Sequence, residues 1–395
     1  MSEKYDIVII GSGLGGLVSS IILAKEGYNV CVLEKNQQFG GNLQTFSRDK
    51  VIFDTGVHYI GGLDEGQNLN RYFKYLGILD DLSLKKMDED AYDIITFDDD
   101  PVEYKHAQGY ERFTESLLEQ FPDEGEAIEA YRQKMTETCD SFPLYRMRHS
   151  AVYHENPEIF QEQIKHFIES ITDNEKLQSV LVGSNLLYAG DGDKTPLYMH
   201  ALAVNSYIES SYRIIRGGSQ ITKALLKRLR ELGGKALKRQ EVVKIETEDG
   251  VVTQVQTQSG EIYKADLFIS NVDPKMTLDM LPSDLFRKSY VRRIENIEST
   301  IAAFSLYLVL KPNTFKYLNS NYYHFKDTDS VWNALHYTQE DWPRTYMVSM
   351  GLSKEDEEIG DNLTLMTYMR YDEVAQWADT FNTDVNKNDR GETYE

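Results

Sequence analysis

Residues 5–10, YDIVII, form an unbroken apolar run that ends on Gly11-Ser12-Gly13-Leu14-Gly15-Gly16 and passes into helical periodicity over residues 17–26. A second apolar run over residues 29–33 closes on Glu34. No other feature limits the fold as tightly. Strand, glycine turn, helix and strand make a βαβ unit, and its right-handed crossover sets the two strands side by side and parallel. In Gly11-x-Gly13-x-x-Gly16 the first glycine permits the turn, the second lets backbone approach a pyrophosphate, and the third lets the helix lie close on the sheet. Ser12, Leu14 and Gly15 complete the loop, and the helix N-terminus offers it free N–H groups. Glu34, 18 residues after Gly16, stands where a carboxylate accepts hydrogen bonds from ribose hydroxyls; Lys35 is next to it. The pattern predicts a dinucleotide site in a doubly wound α/β domain.

NAD and FAD share this half of a site, so the choice rests on the residues after Lys35. Gly40-Gly41-Asn42 is a second glycine loop, and the run FDTGVHYIGG over residues 53–62 sets further glycine turns around Thr55, Gly56 and His58. FAD extends past its pyrophosphate into groups that must be held, whereas NAD needs no second cradle. FAD is therefore the expected cofactor.

From about residue 68 to 210 the pattern changes to amphipathic helices, as over 110–121, 125–139 and 157–171. It returns to α/β after Gly217, with a helix over 220–232 and strands over 241–246, 251–258 and 265–270. Strands are also expected near 300–310, 331–337, 345–351 and 363–369. The reading is α/β: a discontinuous Rossmann-like domain over 1–70 and 212–282, an inserted helical region or lid over 71–211, and a mixed-sheet substrate region over 283–395.

Composition narrows the partners. The chain has 42 Lys and Arg against 64 Asp and Glu, a net charge of −22 that repels nucleic acid. Two cysteines, Cys31 and Cys139, make a disulfide framework improbable and point to a reducing cytosol. The N-terminus lacks the basic and apolar regions of a secretion signal. The longest nearly uncharged apolar run, 300–310, is too short to span a bilayer and reads as a buried strand. Against the acidic background, Lys223, Lys227, Arg228, Arg230, Lys235, Lys238 and Arg239 cluster beside Glu231 alone. That face is either a solvated helix or a peripheral contact with an anionic membrane. No metal-ligand spacing, nucleophile elbow or P-loop is present, and the oligomeric state is left open.

Together these segments resemble the flavoprotein family of phytoene desaturase, carotenoid isomerase and retinol saturase, related to the amine oxidases. The fingerprint VIIGSGLGGLVSSIILAKEGYNVCVLEKNQQFGGN is common to the superfamily, and FDTGVHYIGG is similar to retinol saturases. RGGSQITKALLKRLRELGGKALKRQEVVKIE and ADLFISNVDPKMTLDML also look like the family. The resemblance implies that Gly11, Gly13 and Gly16 hold the FAD pyrophosphate and Glu34 the adenosine ribose. It places Gly40, Gly41 and Asn42 beside the flavin, Thr55 to Tyr59 near the isoalloxazine, and Val243 against the adenine through its backbone. Many relatives carry arginine where Asn42 stands. They also end in a glycine-rich segment that closes the flavin site, a pattern absent after Ser270, so the polar ending reads as a chain cut short.

Members act on apolar polyenes or isoprenoids, adding, removing or relaying hydride across carbon–carbon double bonds. An uncharged polyene lipid is the implied substrate. Saturating an alkene also needs a proton, for which His58 and Tyr59 are the candidates. Tyr317, Tyr322, Tyr323, Phe325, Tyr337, Tyr346 and Tyr368 either line a tunnel for the polyene or pack the later sheet. A single glycine fingerprint leaves no second nucleotide fold to present NAD(P)H, so the electron donor, NAD(P)H or another, stays open. A flavin amine oxidase and a truncated, non-catalytic nucleotide-binding module also remain open on the sequence.

Overall fold

A computed structural model describes residues 4–148, 157–297, 301–353 and 356–377. The polar ending of the chain lies outside the described residues.

The first sheet has six strands in the order Lys235–Lys238, Val30–Glu34, Lys4–Ile10, Ile262–Ser270, Val251–Thr257 and Val242–Glu248. The first four are parallel and the last three turn back on each other antiparallel. Side chains alternate across it with the two-residue period of a strand. Ile7, Ile9, Val30 and Val32 face the helices Leu14–Lys25 and Ser219–Glu231, while Tyr5, Val8, Ile10, Cys31 and Leu33 face Val242, Ile245 and Val255. Both faces are thus apolar, which is why these strands read as continuous runs rather than alternating ones.

The second sheet also has six strands, in the order Ala302–Val309, Gly360–Met369, Thr345–Leu352, Asn321–Phe325, Asp93–Phe97 and Asp100–His106. It carries the helices Tyr110–Gln120, Gly125–Asp140, Ile164–Ile171, Glu175–Leu181 and Leu197–Glu209 over a core that includes Ile95, Phe97, Tyr323, Phe325 and Met347. Between the sheets, Ile60–Gly61, Ser211–Ile214 and Leu84–Lys86 form a three-stranded sheet.

Two sequence expectations need correction, and one needs detail. The stretch 71–211 is mostly helical, but Leu84–Lys86, Asp93–Phe97 and Asp100–His106 are strands within it. Tertiary pairing decides this: Asp93–Phe97 runs parallel to Asn321–Phe325, a partner more than 200 residues away. The strand expected over 331–337 is absent; Asp327 accepts the Ser330 N–H at 2.8 Å and starts the helix Thr328–Trp332. The run 300–310 does form a strand, Ala302–Val309, but at the edge of its sheet, with Phe304, Leu306, Leu308 and Val309 exposed.

Neither cysteine is in a disulfide, and both are buried. Tyr323, Phe325, Tyr337 and Tyr368 are buried in the second sheet and its surroundings, the ordinary packing alternative for the aromatic set. Lys227 pairs with Asp81 at 2.7 Å and Arg228 with Glu231 at 3.1 Å, so part of the basic helix face is neutralised. Among the described residues, no helix is long and apolar enough to cross a membrane.

Candidate functional site

Gly11 ends the first strand with φ +96° and donates its N–H to the Leu33 carbonyl at 2.8 Å. A Cβ on Gly11 would come within 2.8 Å of Asn271 O, and one on Gly16 within 2.2 Å of Gly11 O. The turn therefore closes only on hydrogen atoms, which fixes the start of the helix Leu14–Lys25. Glu34 ends the neighbouring strand, and its carboxylate accepts from Ser12 N at 3.1 Å, Ser12 Oγ at 2.5 Å and Asn36 N at 2.8 Å. These three donors hold it, buried, beside the glycine turn.

Gly11, Ser12, Gly13, Glu34, Lys35 and Gly41 line one cleft of about 260 Å³, closed on the other side by Gln240, Glu241, Val242 and Asn271. Val242 lines this cleft, and the side chain of the next strand residue, Val243, is exposed, as alternation along a strand gives. Leu14 is exposed beside it.

The second glycine loop stacks on the first. Gly40 donates its N–H to Ser12 Oγ at 3.2 Å, and a Cβ on Gly41 would lie 3.2 Å from Gly13 Cα. The third adjoins the second: a Cβ on Gly56 would lie 3.1 Å from Asn42 O, and Thr55 donates through N and Oγ1 to Gln44 O at 3.2 and 2.8 Å. Gly218 then donates its N–H to Asp54 Oδ1 at 2.6 Å. Gly13, Gly41, Gly56 and Gly218 thus mark a track of bare backbone from the Glu34 cleft towards the second sheet. A Cβ at Gly13, Gly41 or Gly56 would press on neighbouring protein atoms at 3.3, 3.2 and 3.1 Å, whereas one at Gly218 would meet only ordinary contacts at 3.5 Å. This track fits an extended dinucleotide, with the cleft at one end.

At the other end lies a second cavity of about 170 Å³, lined by Asp54, His58, Arg213, Gly217, Ser349 and Asn362 among others. Burial pushes the Asp54 carboxyl up to about 6, against the Gly218 N–H and the Arg213 charge, which both favour its ionised form. Burial pushes His58 down to about 4, and the Arg213 charge adds to this. His58 is therefore a neutral imidazole near pH 7.

His58 and Tyr59 go to different places. Tyr59 is buried, and its hydroxyl donates to Asp93 Oδ2 at 2.8 Å and lies 2.7 Å from the Tyr323 hydroxyl. Burial and the Asp93 charge hold the phenol well above its ordinary range. Tyr59 does not line either cavity.

Arg213, only 5% exposed, binds the site together. It donates from Nη1 to His58 O at 3.3 Å and Ser349 Oγ at 2.6 Å, from Nη2 to Asn321 Oδ1 at 2.9 Å, and from Nε to the Tyr317 hydroxyl at 3.2 Å. Asn321 Nδ2 in turn donates to Asp93 Oδ1 at 2.9 Å. Burial pushes Asp93 up to about 7, opposed by Asn321, Tyr59 and Arg213.

Sequence reasoning missed Asp54, Arg213, Asn271 and Asp93. Asp54 stood inside the FDTG run, unweighed. Arg213 carried a weak signal as a cation between Tyr212 and Ile214 in the short, mostly buried strand Ser211–Ile214. Asp93 carried none, since its partners come from elements far along the chain.

The family model for flavin containing amine oxidoreductase matches residues 14–369. The all-trans-retinol 13,14-reductase of Rattus norvegicus is 28% identical over 362 residues, covering 83% of this chain and 58% of that protein. A chloroplastic prolycopene isomerase of an Oncidium hybrid cultivar is 26% identical over 289 residues, covering 68% of this chain and 48% of that protein. The chain thus spans about half the length of the curated relatives it matches. Among solved structures, the CLA-producing fatty acid isomerase from P. acnes aligns with a TM-score of 0.62 at 15% identity, covering 92% of this chain and 77% of that one; it supports the fold alone.

Proposed function

Since the chain belongs to the flavin-containing amine oxidoreductase family, we propose that it is an FAD-dependent oxidoreductase that reduces or isomerises carbon–carbon double bonds of an apolar polyene or isoprenoid. The observation that carries this reading is the glycine track, which joins the Glu34 cleft to a cavity holding two titratable groups and a buried arginine. Retinol and prolycopene are what two relatives are named for acting on, and they supply the substrate class.

In this reading Glu34 takes the ribose hydroxyls and the backbone of Gly11 to Gly16 takes the pyrophosphate, with Lys35 beside them. Gly40 to Asn42 and Thr55 to Gly56 pass the middle of the cofactor. The backbone at Gln240 to Val242 faces the nucleotide end in the place given to Val243. When bound, FAD supplies hydride acceptance or donation. The protein's own part is to align the substrate carbon and handle one proton. Asp54, with a carboxyl near 6, exchanges that proton more readily at neutral pH than His58, whose acid form is scarce there. His58 Nδ1 or Nε2 remains able to donate a hydrogen bond as a neutral ring. Tyr59, bound to Asp93, is assigned to positioning.

The test is an absorbance spectrum after loading with FAD and removing the excess. The reduced protein is then incubated anaerobically with all-trans-retinol, and the oxidised protein with putrescine. The reading expects a retained flavin band and reoxidation by the polyene, with NAD(P)H tried as the first reductant, and no bleaching by the amine. Bleaching by putrescine, with no reoxidation by polyenes, overturns the substrate class. A folded protein without a flavin band overturns the cofactor.

A further inference from the structure

A third cavity, of about 900 Å³, lies outside the track and shares no lining residue with the two cavities above. It runs between the helix Asn68–Leu76, the end of the helix Gly125–Asp140 with the loop after it, and the helix Leu197–Glu209. Its walls include Leu69, Tyr72, Phe142, Leu144, Phe160 and Leu202. The volume falls within the roughly 300–1,000 Å³ of small-molecule sites, and a wall this apolar is what such sites use for the bulk of a ligand.

The wall is fixed on both sides. The Tyr72 hydroxyl donates to Leu144 O, Arg71 Nη1 donates to Arg146 O at 2.9 Å, and Arg146 pairs with Glu209. Phe142 stacks its ring 5.7 Å from Tyr198 and sets its edge 5.9 Å from Phe160. Yet Leu144 is 60% exposed and Phe160 50% exposed, two large apolar side chains turned to water at the cavity mouth. They gain most from a ligand that covers them.

The charge at the mouth selects among apolar ligands. Glu137 and Asp140 both line the cavity, and Asp140 sits 3.4 Å from Arg146 Nε while Glu137 is exposed. Arg146 offsets the Asp140 charge, so Glu137 is the carboxylate that disfavours a carboxylate ligand, while a carboxylate accepts a hydroxyl hydrogen well.

We propose that this groove binds an uncharged polyene or isoprenoid chain, apart from the reaction cavity, and favours the alcohol over the corresponding acid. The substrate class rests on the function proposed above; the site and its charge preference rest on the groove.

FAD-loaded protein is titrated with all-trans-retinol and with retinoic acid, following the ligand's own fluorescence. Leu144→Glu places a charge at the exposed mouth without touching the core, and Leu202→Trp fills the interior. Melting temperature and the flavin band of each variant check folding. Retinol should bind at least tenfold more tightly than retinoic acid. Either groove variant should weaken retinol at least tenfold with the flavin band intact, and Glu137→Gln should narrow the preference for the alcohol. Unchanged retinol binding in both folded groove variants overturns the site while leaving the proposed function standing. Equal binding of acid and alcohol overturns the charge preference. A wild type that holds flavin and binds no polyene removes the groove proposal and the polyene reading together.

Discussion

The Tyr59 hydroxyl donates to Asp93 Oδ2 at 2.8 Å at the start of a largely buried strand, and Asn321 satisfies the other carboxylate oxygen at 2.9 Å. Asp93 is thereby tied to Arg213 through a single amide, since Asn321 accepts from Arg213 with the oxygen of the same side chain. The residue next to Tyr59, His58, is held by the same arginine through its carbonyl. One buried network thus fixes the loop that brings His58 to the cavity.

Asp93 makes the fold less stable as pH rises. Its carboxyl lies at about 7 in the fold against an ordinary 3.8, so the folded chain binds the extra proton between these values. That contribution is full below about pH 4 and is lost as pH rises through 7. Between pH 5 and 7 the wild type should lose up to about 3 kcal/mol relative to Asp93→Asn, at about 1.4 kcal/mol per pH unit. Urea unfolding of both proteins at pH 5, 6 and 7 measures this. Parallel curves would show that Asp93 ionises normally.

The buried histidines act in the opposite sense. His58 and His106 lie near 4 and His200 near 3, each lowered chiefly by burial from 6.5. The unfolded chain takes these protons first, so stability falls as pH drops below 6.5 towards 4. His106 sits against the Phe113 ring at 5.3 Å, and His106→Phe keeps that packing. Its acid unfolding midpoint should move to lower pH, and an unmoved midpoint would assign the acid sensitivity elsewhere.

Arg213→Met removes four hydrogen bonds at once and leaves Ser349 Oγ and Asn321 Oδ1 without their donor. Each buried neutral acceptor left unpaired costs about 1–3 kcal/mol. Retained flavin in a protein with an unchanged melting temperature would contradict the role given to this arginine. Arg213→Lys should recover part of the stability, because an ammonium reaches fewer of these acceptors.

Glycine substitutions should rank by the space they lack. Gly16→Ala sets a methyl 2.2 Å from Gly11 O, a backbone atom that cannot yield, and should abolish flavin retention. Gly13→Ala meets only the Asn271 side chain at 3.3 Å, so it should weaken flavin binding less. Fluorescence titration with FAD compares the two; an equal loss would mean that ligand clearance, rather than loop closure, dominates.

Glu34→Gln keeps the shape of the cleft and one acceptor, but loses the charge that Ser12 and Asn36 now hold in place. A hydrogen bond to a charged group contributes about 1.5–3 kcal/mol, so FAD affinity should fall by roughly tenfold or more. An unchanged titration would place the ribose away from Glu34.

The βαβ opening was legible because everything it needs lies within residues 4–34: apolar strands, glycines that no side chain can replace, and a carboxylate at the second strand's end. The same locality made Gly40, Gly41 and Gly56 readable as turns, though not their stacking on one another. The strand Asp93–Phe97 was hidden in a stretch read as mostly helical, and the run 331–337 was read as a strand where a capped helix ends. Both depend on partners that a short window does not contain.

The amino-acid sequence by itself determined the glycine turns, the strand and helix periods beside them and the excess of negative charge, since backbone sterics and side-chain alternation act over a few residues. Only the tertiary structure decided which side chains share a space: that Val242 lines the cleft while the Val243 side chain is exposed, that His58 reaches a cavity while Tyr59 is buried on Asp93, and that Arg213 gathers groups from 58 to 349. Burial and charge at these points come from elements distant in the chain, and desolvation is a property of the assembled interior rather than of any segment.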